Sequence, residues 1–240
     1  HRDLHSFPTR RSSDLLSGYN IQYHNFASGV GIESYNSSLD LNDAVEYYSE
    51  NLGEDPKPDH GDATHVIQDS YPVSAGSQRT LTVISQAGAI DSLRIKPTPN
   101  EDEDIMSSAR LVITWDNKSQ SDIDVPLGMF FGRGFYDTPG VFTWHSLPVG
   151  MDDDGWMYCH FPMPFFKHAD IKIVNDSSTD ITSLDFEIVW TEDEYPRGTG
   201  IFSAVYSEST PIAAGDDYVA LQAYGRGKYV GTIMAMEATD

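Results

Sequence analysis

The sequence predicts an all-β protein, a jelly-roll β-sandwich with one short N-terminal helix, and three features lead there. Beyond residue 80 the apolar residues recur at a period of two, as in Phe186, Ile188 and Trp190 set against Asp185, Glu187 and Val189. The short apolar runs are separated by polar, glycine- or proline-bearing turns, as an antiparallel sandwich requires. Finally, the chain shows neither the helix–strand alternation of a parallel sheet nor a repeat of solenoid length.

The elements follow in order. Residues 1–15 lack a clear period and an apolar signal-peptide region, and FPTRRSSDL resembles a translated sequencing adapter of the kind found in metagenomic reading frames. That stretch is expected to be artefact or disordered. Residues 16–62 form an N-terminal extension whose helix places Leu41, Val45, Tyr48 and Leu52 on one face, with Asp40 at its N-cap and Gly53 ending it. The polar run EDPKPDHGD at 54–62 reads as a loop. Strands are expected around Leu81 and Val83, around Leu93 and Ile95, at 110–115, 171–174 and 186–190, and again at 218–224 and 229–236. Turns are expected at 100–104, 116–122, 137–140, 151–155, 175–180 and 224–228, with Gly225 and Gly227 suited to a tight hairpin.

Composition narrows the function. Thirty-seven acidic against fifteen basic residues give a formal charge of -22, which repels a polyphosphate, so no nucleic-acid partner is expected. No apolar run is long enough for a membrane-spanning helix, and no membrane partner is expected. The single cysteine, Cys159, sits among apolar neighbours and reads as a core thiol.

Residues 126–164 concentrate the aromatics. GRGF at 132–135 and GRGK at 225–228 lack the spacing and strand-to-helix setting of a phosphate loop and read as turns. His145, His160 and His168 lack zinc-ligand spacing, and the acidic loop Asp152, Asp153, Asp154 and Gly155 has oxygens for calcium but not the EF-hand pattern. No metal or other cofactor is assigned. No G-x-S-x-G elbow supports a serine nucleophile. Carbohydrate remains: aromatic faces cover sugar C–H surfaces while charged and polar groups bond the hydroxyls. Trp144, His145, Trp156, Tyr158, Asp116 and Arg133 are the residue types for that, the other reading being that the aromatics are sandwich core.

Three blocks, WDNKSQSDIDVPLGMFFGRGF at 115–135, SLPVGM..DGWMYCHFPMPFFKHADIKIVN at 146–175 and GDDYVALQAYGRGKYVGTIM at 215–234, resemble in order and spacing the family once called domain of unknown function 2961, now glycoside hydrolase family 172. The segment at 73–95 is similar to that family's first strands, and SGYN at 17–20 to its N-terminal polar segment. The resemblance implies two tandem jelly rolls: a first at 63–197 and the opening strands of a second, truncated one at 198–240. It also implies homo-oligomers, trimers or higher. The implied substrate is a furanoside glycan such as an α-D-fructofuranoside or D-arabinofuranoside, hydrolysed with retention by two glutamates. In the family those glutamates belong to a Gly-Glu-Gly-Asp-like and a Gly-Thr-Glu-Asp-like block, and neither occurs in this sequence. Glu187, Glu192 and Glu194 lie outside such motifs, so no catalytic residue is assigned. The expectation is a fragment without activity of its own, from a periplasmic or extracellular protein. The alternative is a non-catalytic carbohydrate-binding or structural-assembly sandwich.

Overall fold

Strand 88–98 runs through the middle of the molecule, and the two antiparallel sheets are best described outward from it. A computed structural model describes residues 40–55, 57, 61–100, 102–134, 144–208 and 218–235, and both sheets lie within the compact unit of residues 43–240. The chain order begins with α1 (Asn42–Glu50), a 3-10 turn (Gly61–Ala63), β1 (Thr64–Val73), β2 (Ser77–Ile84), β3 (Gly88–Thr98) and α2 (Glu103–Ser108). It continues with β4 (Ala109–Trp115), β5 (Ile123–Pro126), α3 (Leu127–Phe130), β6 (Trp144–His145) and β7 (Val149–Met151). The last strands are β8 (Met157–Cys159), β9 (Met163–Phe165), β10 (Ala169–Asn175) and β11 (Ile181–Glu192).

The seven-stranded sheet has the order β1-β11-β3-β8-β7-β6, with β9 also paired to β3, and the four-stranded sheet has the order β2-β10-β4-β5. The chain therefore crosses between sheets at β1–β2, β2–β3, β3–β4 and β5–β6, and again on either side of β10. Four strands β1-β11-β3-β8 facing four strands β2-β10-β4-β5 is the double Greek-key order of a jelly roll. The sequence expectation of an all-β jelly-roll sandwich holds.

Alternation fills the space between the sheets. Leu93 and Ile95 of β3, Phe186 and Ile188 of β11, and Ile171 and Ile173 of β10 are all essentially inaccessible. Trp115 stacks on Phe165 with ring centroids 5.7 Å apart, and its Nε1 donates to the Phe202 carbonyl at 2.8 Å. That bond, with Ala204 N donating to Asp122 O at 3.2 Å, holds the segment after β11 along the β5 edge.

Several elements depart from the sequence reading. α2 replaces the turn expected at 100–104, because Asp102 caps it, accepting from Ile105 N at 2.9 Å, and Ile105 and Met106 drop into the core. β1 was not among the expected strands; Val66 stands on its exposed side and Asp69 interrupts the line of Ile67, Tyr71 and Val73, so its apolar residues do not alternate cleanly. α1 forms as expected, with Asp40 Oδ1 accepting from Asn42 N at 3.0 Å, yet its face of Leu41, Val45, Tyr48 and Leu52 is exposed. Residues 218–235 carry no strand ladder, and Val219, Leu221 and Tyr224 are exposed there: without a paired neighbour, apolar alternation alone does not make a strand. The turn expected at 137–140 and the stretch 1–15 lie outside the described residues.

One end of the sandwich is fastened by Asn175, which is fully buried. Its Nδ2 donates to Val73 O and Thr179 O, each at 3.0 Å, and its Oδ1 accepts from Ser177 N at 3.2 Å and Ser177 Oγ at 2.6 Å. The β1–β2 and β10–β11 turns thus share one amide. Asn175→Asp keeps the acceptor but faces two carbonyls with no proton to offer, and should destabilise the fold by roughly 3 kcal/mol. Urea unfolding measures it; a midpoint equal to that of the unaltered protein would refute this role for Asn175.

Candidate functional site

Residues paired across neighbouring strands share a face. His145, Gly150, Tyr158, Arg94, Glu187 and Gln68 are paired in turn from β6 to β1, making one row across the larger sheet. Leu93 and Ile95, on either side of Arg94, point into the core, so this row points outward.

Arg94 organises the row. It donates to Asp152 Oδ2 at 3.0 Å and to Glu187 Oε1 at 3.5 Å, and its guanidinium lies 5.0 Å from the Trp156 ring centroid. Glu187 accepts in addition from Gln68 Nε2. Asp152 Oδ1 accepts from Trp156 N at 2.8 Å and Asp154 N at 3.1 Å, so the β7–β8 turn presents Trp156 beside Arg94. With its oxygens engaged in this way Asp152 acts as a turn organiser, and among the described residues no group of His, Cys, Asp and Glu is placed to hold a metal ion.

Beside Arg94 the outer face is covered. Tyr158 is only 1% exposed although it points away from the core, because the segment after α1 lies over it. A Cβ on Gly53 would sit 3.7 Å from both the Tyr158 ring and His145 Nδ1, and one on Gly150 would collide with Tyr158 Oη at 2.4 Å. Glycine at 150 therefore lets the phenol reach the Ser146 carbonyl, to which it donates at 2.7 Å. His160 stacks on Tyr158 at 4.9 Å, with Ser92 Oγ 3.1 Å from its Nδ1 and Gly53 O 3.3 Å from its Nε2. A carbonyl only accepts, so Nε2 carries the proton and Nδ1 accepts from the serine. Burial raises the Tyr158 pKa and lowers that of His160, where Lys57 and Arg94 add to the burial while the Gly53 carbonyl and Asp55 oppose it.

The six residues expected from sequence do not converge on one place. His145, Trp156 and Tyr158 belong to the outer face described above. Trp144 lies one row over, paired with Met151 on the core side, its Nε1 donating to Phe131 O at 2.6 Å. Arg133 is buried just after α3. Asp116 lies at the end of β4, in the other sheet, with φ +58; its Oδ1 accepts from the amides of Phe166, Lys167 and His168 at 2.9, 2.8 and 3.3 Å and shapes the β9–β10 turn. Arg94, Ser92, His160 and Gln68 join the site without having been singled out as ligand-facing. Alternation on β3 already sets Ser92 and Arg94 opposite Leu93, but which strands flank β3 is a matter of long-range pairing. Glu192 and Glu194 lie elsewhere, lining with Asp62, His65 and Asp193 an open cleft of about 530 Å³. Cys159 is a buried thiol whose pKa is pushed up to about 12 by desolvation, as a core residue should be.

A family model described as GH172 domain-like matches residues 63–188, the stretch that holds every member of the outward row. No curated protein matches the chain.

Folded His160 holds its proton more weakly than a free imidazole, whose pKa is about 6.5. The unfolded chain then takes up the proton first, so the stability from neutral His160 is complete above about pH 6.5 and is lost as pH falls below it. Between about pH 8 and pH 5 the denaturation midpoint of the native protein should fall further than that of His160→Gln; equal falls would contradict the assignment.

Proposed function

Since this chain belongs to the GH172 domain-like family, and so is related to the glycoside hydrolases, we propose that it is a furanoside-directed jelly roll that binds α-D-fructofuranosides or D-arabinofuranosides. The observation that carries the reading is that the matched residues 63–188 include the whole outward row, with His145, Tyr158 and Arg94, and Trp156 beside it. An aromatic surface beside charged donors and acceptors suits a sugar, whose ring has an apolar C–H face and a rim of hydroxyls. In the same reading the parent activity is hydrolysis with retention, which needs two carboxyl groups about 5–5.5 Å apart on either side of the scissile bond. Glu187 and Asp152 are both bound to the Arg94 guanidinium and are suited to holding the aromatic face in place. Because neither glutamate-bearing block occurs in the sequence, residues 1–240 bind furanosides without cleaving them. Assembly as a trimer or larger homo-oligomer belongs to the same reading.

Titration of the purified chain with methyl furanosides and the matching methyl pyranosides tests this directly, alongside release of 4-nitrophenol from the aryl furanosides. Saturable binding of furanosides in preference to pyranosides, with no release, is expected. Equal binding of both ring forms, or none, would overturn the substrate class, and release of 4-nitrophenol would overturn the reading that these residues bind furanosides without cleaving them.

A further inference from the structure

The outward row is closed at one place, under the segment that follows α1. Gly53 O accepts from His160 Nε2 at 3.3 Å, Lys57 Nζ donates to His160 O at 2.8 Å, and Gly53 faces Tyr158 so closely that a Cβ added to it would stand 3.7 Å from the ring. This strap thus brings three things to the sheet: an acceptor for a buried imidazole N–H, a donor for a buried carbonyl, and a residue without a side chain facing a buried aromatic ring. A vicinal diol on a sugar ring brings the same three, since one hydroxyl oxygen accepts, a neighbouring hydroxyl proton is donated, and the ring C–H face covers the aromatic.

We propose that the strap of Gly53, Asp55 and Lys57 is a built-in stand-in for ligand, and that Tyr158 and His160 beneath it form a binding site for a furanose diol which opens when the strap lifts. The inference rests on the furanoside reading above. Among the described residues, lifting the strap disturbs little else. α1, which leads into it, buries none of its side chains, and Lys57 Nζ is held on the strap side by Asp55 at 2.6 Å. Gly53 has φ +88, a conformation other residues adopt only with strain. The strap and the sugar compete, so the observed affinity is the intrinsic one reduced by the fraction of molecules whose strap is open.

Gly53→Ala places a Cβ on a left-handed backbone and should shift the closed–open balance about tenfold toward open. In the 240-residue chain, hydrogen exchange reads the strap through the peptide spanning 51–57, and calorimetry with methyl α-D-arabinofuranoside reads the site. Faster exchange in the strap, unchanged exchange in β3 and about tenfold tighter binding are expected, with the sugar itself speeding strap exchange in the unaltered protein. Lys57→Met, which removes the second hydrogen bond, should act in the same direction and replaces Gly53→Ala if that variant unfolds. If the strap opens and the sugar binds no more tightly, the stand-in is refuted while the furanoside reading stands. If the strap opens and no furanoside binds either form, both fall.

Discussion

The pairing of β3 on both of its edges is the constraint on which the rest of the molecule depends. β11 runs along one edge over nearly its whole length, while β8 and β9 take successive parts of the other. A strand held on both sides keeps its alternation, and β3 uses both of its faces. Leu93 and Ile95 go into the core, and Ser92 and Arg94 go out to the site. A slip of one residue in its register would exchange the two sets, burying a guanidinium and exposing two branched aliphatic side chains. The same apolar contacts that make the sandwich therefore also aim the polar groups.

Arg94 shows how charge is handled on that face. In a chain of formal charge -22, Asp152 and Glu187 are brought near one another across the sheet, and a single guanidinium between them offsets their repulsion. The paired side chains are about a fifth to a third exposed, so each pair contributes on the order of 1 kcal/mol or less. Their effect is chiefly one of placement: the guanidinium, with one nitrogen on Asp152 and the other on Glu187, ties the β7–β8 turn and β11 to β3 and has Trp156 alongside the cation. Next to this open part, the Tyr158–His160 stack is shut off from water by the strap, which is why one outward-pointing aromatic is buried and the other is partly open.

The sequence disclosed the sandwich well and the site in part, for physical reasons. Phe186, Ile188 and Trp190 announce a strand because alternation is local, and the jelly-roll class follows from many such runs with turns between them. Asp102 could have announced α2 through its capping spacing to Ile105, but a helix of six residues has too few turns to show a period. Residues 218–235 alternate as strands do and yet form no ladder, since pairing depends on a partner that local pattern does not contain. Among the aromatics, His145, Trp156 and Tyr158 fall on the same outer face, whereas Trp144 differs from its neighbour His145 only by parity along β6, and the side of the sheet it takes depends on register. Asp116 looked like a hydroxyl acceptor and is occupied instead by three amides from a turn fifty residues away.

The central claim is that the outer face of the larger sheet, around Arg94, Trp156 and Tyr158, receives the sugar. The direct test is to map amide and indole chemical-shift changes in the isotope-labelled chain during titration with methyl α-D-arabinofuranoside. The account predicts shifts confined to residues near Arg94, the β7–β8 turn with the Trp156 indole, β8 and the Gly53 strap. Saturable shifts centred on the smaller sheet around Asp116, or on the acidic cleft at Glu192, with the Trp156 indole unmoved, would contradict it.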